Sequence, residues 1–180
     1  MIRFNNDYNH GAHPKILDAL QNINENAYGG YGKDEWCLKA CEEIKKYINN
    51  SDADIHFLVG GTQVNYIAIA SMLKPFQGII SPESGHINVH ETGAVENSGH
   101  KVLSLPEKNR KITAQQIEEQ AIFYENSPVQ EHIVQPKAVY ISFPTEYGTI
   151  YSKSELEKIS QVCKNHGLYL FIDGARLGYG

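Results

Sequence analysis

Apolar positions along this chain recur with two different periods. In "HPKILDALQNI", Ile16, Leu17, Leu20 and Ile23 fall at helical spacing, and Pro14 suits a first helical position, so the stretch predicts a helix. "DEWCLKACEEIKKYI" repeats the pattern, with Asp34 placed to cap the helix, acid early, and Lys45 and Lys46 late to match the helix dipole. Past residue 54 the period changes. "IHFLV", "GIIS", "KVLSL", "AVYIS" and "LYLFI" are short apolar, β-branched runs that read as strands. Helical segments separate most of them: "TQVNYIAIASML", "TAQQIEEQAIFY" and "SELEKISQVCKNH", the last closed by Gly167. Strands alternating with helices predict an α/β fold with a mostly parallel sheet, helices on both faces and right-handed crossovers. The near-continuous apolar character of the strands agrees with burial on both faces. "ENSPVQEHIVQP" reads as one longer surface loop inside a single domain.

Composition narrows the partners. The chain has 180 residues, enough for a real core, and 16 Lys and Arg against 21 Asp and Glu leave a net charge of −5. No run of one sign suggests a nucleic-acid or anionic-membrane surface, so the expected partner is a small molecule. No apolar stretch approaches a membrane span, and "MIRFNNDYNH" lacks the charged start and apolar body of a signal peptide; the expected location is the cytoplasm. Cys37, Cys41 and Cys163 form no zinc-type grouping with the eight histidines. Cys37 and Cys41 lie one helical turn apart on the face of Ile44 and Ile48, which reads as core packing, and no metal site is expected.

In such a sheet ligands sit where strands end and helices begin, and three of these joints carry chemistry. In "IHFLVGGTQVN" the expected order is strand, two glycines, then Thr62 opening a helix. Gly60 and Gly61 let a ligand approach the backbone, and the N–H groups at the helix start favour a phosphate; the alternative is an ordinary turn capped by Thr62. Neither a Walker loop nor G-x-G-x-x-G is present. In "SPESGHINVHETGA" His86 stands at a strand end, free to stack on a planar ligand, to move protons, or simply to be a surface histidine. His90 and Glu91 follow, but their spacing does not match H-E-x-x-H. In "FIDGARLGYG" a buried strand delivers Asp173, which needs a cationic partner: either Arg176 or a ligand with a positive ring nitrogen, in which case Arg176 can grip a carboxylate. A phosphate, a flat ring and a ring nitrogen seeking an acid together describe pyridoxal 5′-phosphate, and an arginine for a carboxylate implies an amino-acid substrate.

At these residues the chain resembles the threonine aldolase and β-eliminating lyase family of fold-type-I pyridoxal-phosphate enzymes. The matching stretches are "GAHPKILDAL", "YGKD", "GGTQVN", "SGHINVHETGA", "PTEYGTIYS", Glu155 with Leu156, and "IDGARL", spread over essentially the whole chain. The resemblance implies the large domain of the aspartate aminotransferase fold. It also implies that Gly61 and Thr62 hold the phosphate, with Asn65 one turn further on, and that His86 stacks on the ring. By the same resemblance Asp173 meets the ring nitrogen, Arg176 binds the substrate carboxylate, and Tyr31 reaches an active site across the subunit boundary of a homodimer or homotetramer. The implied reaction is cleavage of a β-hydroxy amino acid, threonine or allo-threonine, to glycine and acetaldehyde. β-Elimination from another amino acid and a non-catalytic binding or assembly module are the alternatives.

Two departures qualify the likeness. Where family aldolases commonly have a histidine near the substrate hydroxyl, "PTE" places Glu146, which either replaces it as a base, signals a different substrate, or caps the turn before "YGT". The family's Schiff-base lysine follows D-G-A-R and one further strand, so it is expected beyond Gly180. Residues 1–180 are accordingly expected to be an N-terminal segment plus most of the cofactor-binding large domain, without the small C-terminal domain and inactive alone.

Overall fold

A computed structural model describes residues 5–179. Residues 1–4, which begin the stretch read for targeting signals, and residue 180, beyond which the lysine is expected, lie outside the described residues. The chain divides into two units, Met1–Phe57 and Leu58–Gly180.

The first unit holds the two expected helices. Helix α1 spans Pro14–Ile23, with proline in its first turn and the His13 ring accepting the Lys15 N–H. Ile16, Leu17 and Leu20 are each more than half exposed. Helix α2 spans Glu35–Tyr47, and the Asp34 carboxylate caps it by accepting the Trp36 and Cys37 N–H groups at 2.9 and 3.0 Å. The hydrogen bond from the Cys37 backbone holds Asp34 below the usual carboxylate range. Cys37 and Cys41 are half-buried, with Cys41 Sγ 4.0 Å from the Ile55 carbonyl, so their packing is partial.

The second unit is a four-stranded parallel sheet with helices on both faces. Its elements, in chain order, are α3 (Gly61–Met72), β1 (Gln77–Pro82), α4 (His86–Val89), α5 (Ala94–Asn97), β2 (Lys101–Leu105), α6 (Ala114–Glu125), β3 (Gln135–Ser142), α7 (Lys153–Asn165) and β4 (Tyr169–Asp173). The order across the sheet is β2-β1-β3-β4, every pair parallel. Side chains alternate between faces along each strand, and the two faces carry separate cores. Ile80, Val139 and Ile141 pack with Ile117, Ala121, Ile159, Val162 and Cys163 of α6 and α7. Ile79, Ala138 and Tyr140 pack with Ile69, Ile87 and Val95 of α3, α4 and α5. Each isoleucine buried this way contributes about 2 kcal/mol. Cys163 belongs to the first core, and burial pushes its thiol up to about 11.

Helix ends follow the local sequence. Thr113 with Gln116, and Ser152 with Glu155, form capping boxes on α6 and α7, and Gly167 ends α7 at φ +61°. In the central strand, a Cβ on Gly78 would lie 2.7 Å from the Lys101 carbonyl, so only glycine allows β1 and β2 to pair this closely. The expected loop after α6 contains a 3-10 turn at Gln130–His132.

One expected strand is absent. "IHFLV", residues 55–59, forms no ladder, and Phe57, Leu58 and Val59 are 48, 40 and 86% exposed. A strand needs a neighbouring backbone to satisfy its N–H and C=O groups, and the four described strands pair only with one another. The first joint is therefore coil, glycine and helix.

Candidate active site

The C-terminal ends of β1, β3 and β4 deliver polar side chains to the face covered by α3, α4 and α5. Asp173 follows Phe171 on that face, and Ser142 follows Tyr140. A carboxylate ending an apolar strand must be hydrogen-bonded to be tolerated. The half-buried Asp173 takes a hydrogen bond from Tyr140 Oη at 2.8 Å and another from Asn65 Nδ2 at 3.1 Å, both on Oδ2, while the Ala175 N–H reaches Oδ1 at 3.1 Å. All three are neutral donors. Burial, and then the Asp173 charge, push the Tyr140 phenol far above its ordinary value, so Tyr140 stays a donor.

His86 opens α4 two residues after Ser84, and its position is set from both sides. Its backbone N–H donates to Glu146 Oε1 at 3.0 Å, and Ser142 Oγ donates to the same oxygen at 2.5 Å. Glu146 thus caps α4 and not the turn that follows it, where Thr145 and Thr149 bond to each other. The His86 ring meets Glu91 Oε1 through Nδ1 at 2.8 Å. Gly85 packs so tightly that a Cβ there would lie 2.3 Å from Ser81 Oγ. His90 is exposed, its ring centroid 5.4 Å from that of His86.

Asn65, buried in the second turn of α3, lies between two acids. Its Nδ2 donates to Glu91 Oε1 at 2.6 Å as well as to Asp173. His86, Glu91 and Asp173 place donor atoms within 4.8 Å of one another, a set that could also be weighed as a cation site. The two carboxylate oxygens on which Asn65 converges already face the positive end of its amide, which disfavours an ion between them.

The start of α3 supplies the third component. Gly60 is the N-cap at φ +81°, and no side chain caps the helix. Thr62 does not cap it as an ordinary turn would; Gln63 instead folds back to accept the Val59 N–H at 3.2 Å. Gly61 and Thr62 are exposed, and a Cβ on either Gly60 or Gly61 would meet nothing within 4 Å. Uncapped N–H groups at the positive end of a 12-residue helix suit a phosphate. An anion-binding helix start, an imidazole and an acid held by neutral donors fit pyridoxal phosphate, whose phosphate, ring and protonated ring nitrogen need those groups in turn.

Arg176 and Tyr31 are the remaining candidates. Arg176 is exposed in the turn after β4, where the Tyr179 N–H reaches its carbonyl at 2.9 Å. Tyr31 belongs to the other unit, fully exposed and in the left-handed backbone region at φ +63°. Sequence reasoning weighed Glu91 only as a metal-type neighbour of His86 and did not find Tyr140 or Ser142. Glu91 reaches the His86 ring because the single turn of α4 closes between them, the His90 N–H donating to the His86 carbonyl at 2.9 Å. Tyr140 and Ser142 were visible only as polar atoms on an apolar strand.

The sequence matches the family model described as β-eliminating lyase over residues 11–178. It is 31% identical over 176 residues to the low specificity L-threonine aldolase of a Pseudomonas species, covering 97% of this chain and 49% of that one. A solved threonine aldolase from Leishmania major is 50% identical, with a TM-score of 0.89, over 96% of this chain and 49% of that one. The aspartate aminotransferase of Rhizobium meliloti, 15% identical with a TM-score of 0.68, shares the fold over 92% of this chain and 41% of that one. The chain therefore spans 49% of the length of each of these two aldolases.

Proposed function

The chain belongs to the β-eliminating lyase family, and on that premise we propose that the protein uses pyridoxal 5′-phosphate to cleave L-threonine or L-allo-threonine to glycine and acetaldehyde. The carrying observation is the half-buried Asp173 carboxylate, bonded by three neutral donors and suited to a cationic ring nitrogen. The likeness to two threonine aldolases supports the choice of substrate. The length of those relatives supports reading residues 1–180 as an N-terminal segment and most of the large domain of a longer protein. The activity is assigned to that full-length protein.

When bound, pyridoxal phosphate supplies the electron sink for the breaking Cα–Cβ bond. The chain's own residues do the rest. Gly61 and Thr62 would hold the phosphate at the α3 N-terminus, and Asn65 steadies Asp173, which would keep the ring nitrogen protonated. His86 would stack on the ring. Arg176 would bind the substrate carboxylate, for which a guanidinium can offer two parallel hydrogen bonds, and so orient the substrate. Glu146 takes the proton of the β-hydroxyl. Among the described residues its two hydrogen bonds, from the His86 N–H and Ser142 Oγ, fall on Oε1, which leaves Oε2 for that proton. Tyr31 is proposed to serve a neighbouring subunit of a homodimer or homotetramer, a role its full exposure allows. Among the described residues no helix is long and apolar enough to cross a membrane. The three cysteines are free thiols, which suits a reducing compartment, and we place the protein in the cytoplasm.

Glu146, standing where family aldolases commonly have a histidine, favours a second reading: β-elimination from another amino acid. Product analysis separates the two. Full-length protein given L-threonine or L-allo-threonine is expected to release glycine and acetaldehyde in equal amounts. Release of ammonia and an oxo acid would favour elimination, and no product from any amino acid tested would indicate a binding or assembly module.

A further inference from the structure

We propose that Glu91 is a positioning residue for His86: its Oε1, held in place by Asn65, fixes the imidazole as the Nδ1–H tautomer and leaves Nε2 as a bare acceptor. This rests on the reading of the site given above and assigns a role to a residue which that reading does not use.

The Glu91 side chain is wholly excluded from solvent, whereas that of His86 is 41% exposed. An acid so deeply placed needs donors for its charge. Oε1 meets two, Asn65 Nδ2 at 2.6 Å and His86 Nδ1 at 2.8 Å. Because Asn65 donates to Oε1, that oxygen is an acceptor, and the hydrogen on the His86 contact must sit on Nδ1. An imidazole free in water prefers to carry its hydrogen on Nε2, so Glu91 imposes the less common form. Nδ1–H then points inward to Glu91, and Nε2 can only accept. Glu91 Oε2 is buried without a hydrogen-bond partner among the described residues, so all the polar bonding of this acid goes through the oxygen facing His86. The same Asn65 amide donates to Asp173, so one side chain sets both the acid expected under the ring nitrogen and the tautomer of the stacking histidine.

The test reads the tautomer directly. Full-length protein labelled with 15N-histidine, free of cofactor and at a pH where the imidazole is neutral, is expected to show His86 as Nδ1–H; the assignment comes from a His86→Gln spectrum. Glu91→Ala should shift His86 toward Nε2–H and weaken pyridoxal-phosphate uptake by about tenfold, the scale of one lost hydrogen bond to a charged group. Glu91→Gln should keep the Nδ1–H form, because Asn65 requires an acceptor in the Oε1 position and a glutamine oxygen supplies it. An unchanged tautomer in folded Glu91→Ala overturns the proposal. If that variant does not fold, an Nε2–H signal in Glu91→Gln overturns it instead. Because the spectrum is taken without cofactor, its outcome is independent of whether the proposed reaction is correct.

Discussion

Asp173→Asn is expected to lower kcat of the full-length protein by about a hundredfold or more while the fold persists. An asparagine oxygen in the Oδ2 position still accepts from Tyr140 and Asn65, which preserves two of the three native hydrogen bonds. The third, from the Ala175 N–H, would face the new amide nitrogen and is lost. That bond lies at the exposed start of a turn and is worth about 1 kcal/mol, so the melting temperature should fall only modestly. Catalysis has no such reserve. A neutral amide cannot hold a proton on a ring nitrogen, and the electron sink weakens with it. Steady-state kinetics with a thermal melt as control decide the matter. Unchanged turnover would make Asp173 a structural partner of its neighbours and nothing more.

Glu146→Gln should reduce kcat by about a hundredfold, within the range that loss of a general base produces, and leave cofactor affinity nearly unchanged. The substitution separates two roles that the geometry superimposes. Glu146 holds the His86 N–H and Ser142 Oγ through one oxygen, and a glutamine oxygen accepts both equally well. If holding α4 were its whole task, the variant would work at nearly the wild-type rate. If its task is to remove the β-hydroxyl proton, the amide cannot perform it. KM for the amino acid should stay within a few-fold in either case, because Arg176 is assigned the carboxylate.

What was legible in the sequence was whatever depends on neighbours along the chain. Pro14 marks a helix start by its fixed φ and Asp34 by its local hydrogen bonds, the apolar runs within β1 and β3 mark strands buried on both faces, and β2 and β4, which keep exposed positions, are marked by their apolar and β-branched content. Asp173 could be read as a site residue because a charge at the end of such a run needs a reason. The failure at residues 55–59 has the opposite cause: those residues have strand propensity, but a strand also requires a neighbouring backbone, and sequence periodicity cannot show one. Glu91 was not read as a partner of His86 because the one-turn helix α4 that brings them together is too short to show a period in the sequence. Asn65 was placed in the site by resemblance, near the phosphate. Its buried amide bridges Glu91 and Asp173, which lie 26 and 108 positions away from it in the chain.

The central claim is that the start of α3, His86 and Asp173 together hold pyridoxal phosphate, and cofactor uptake tests it most directly. Full-length protein incubated with pyridoxal phosphate and then dialysed is expected to retain the cofactor stoichiometrically, with a near-visible absorption band that borohydride abolishes. A folded protein that stays colourless and retains none would contradict the account.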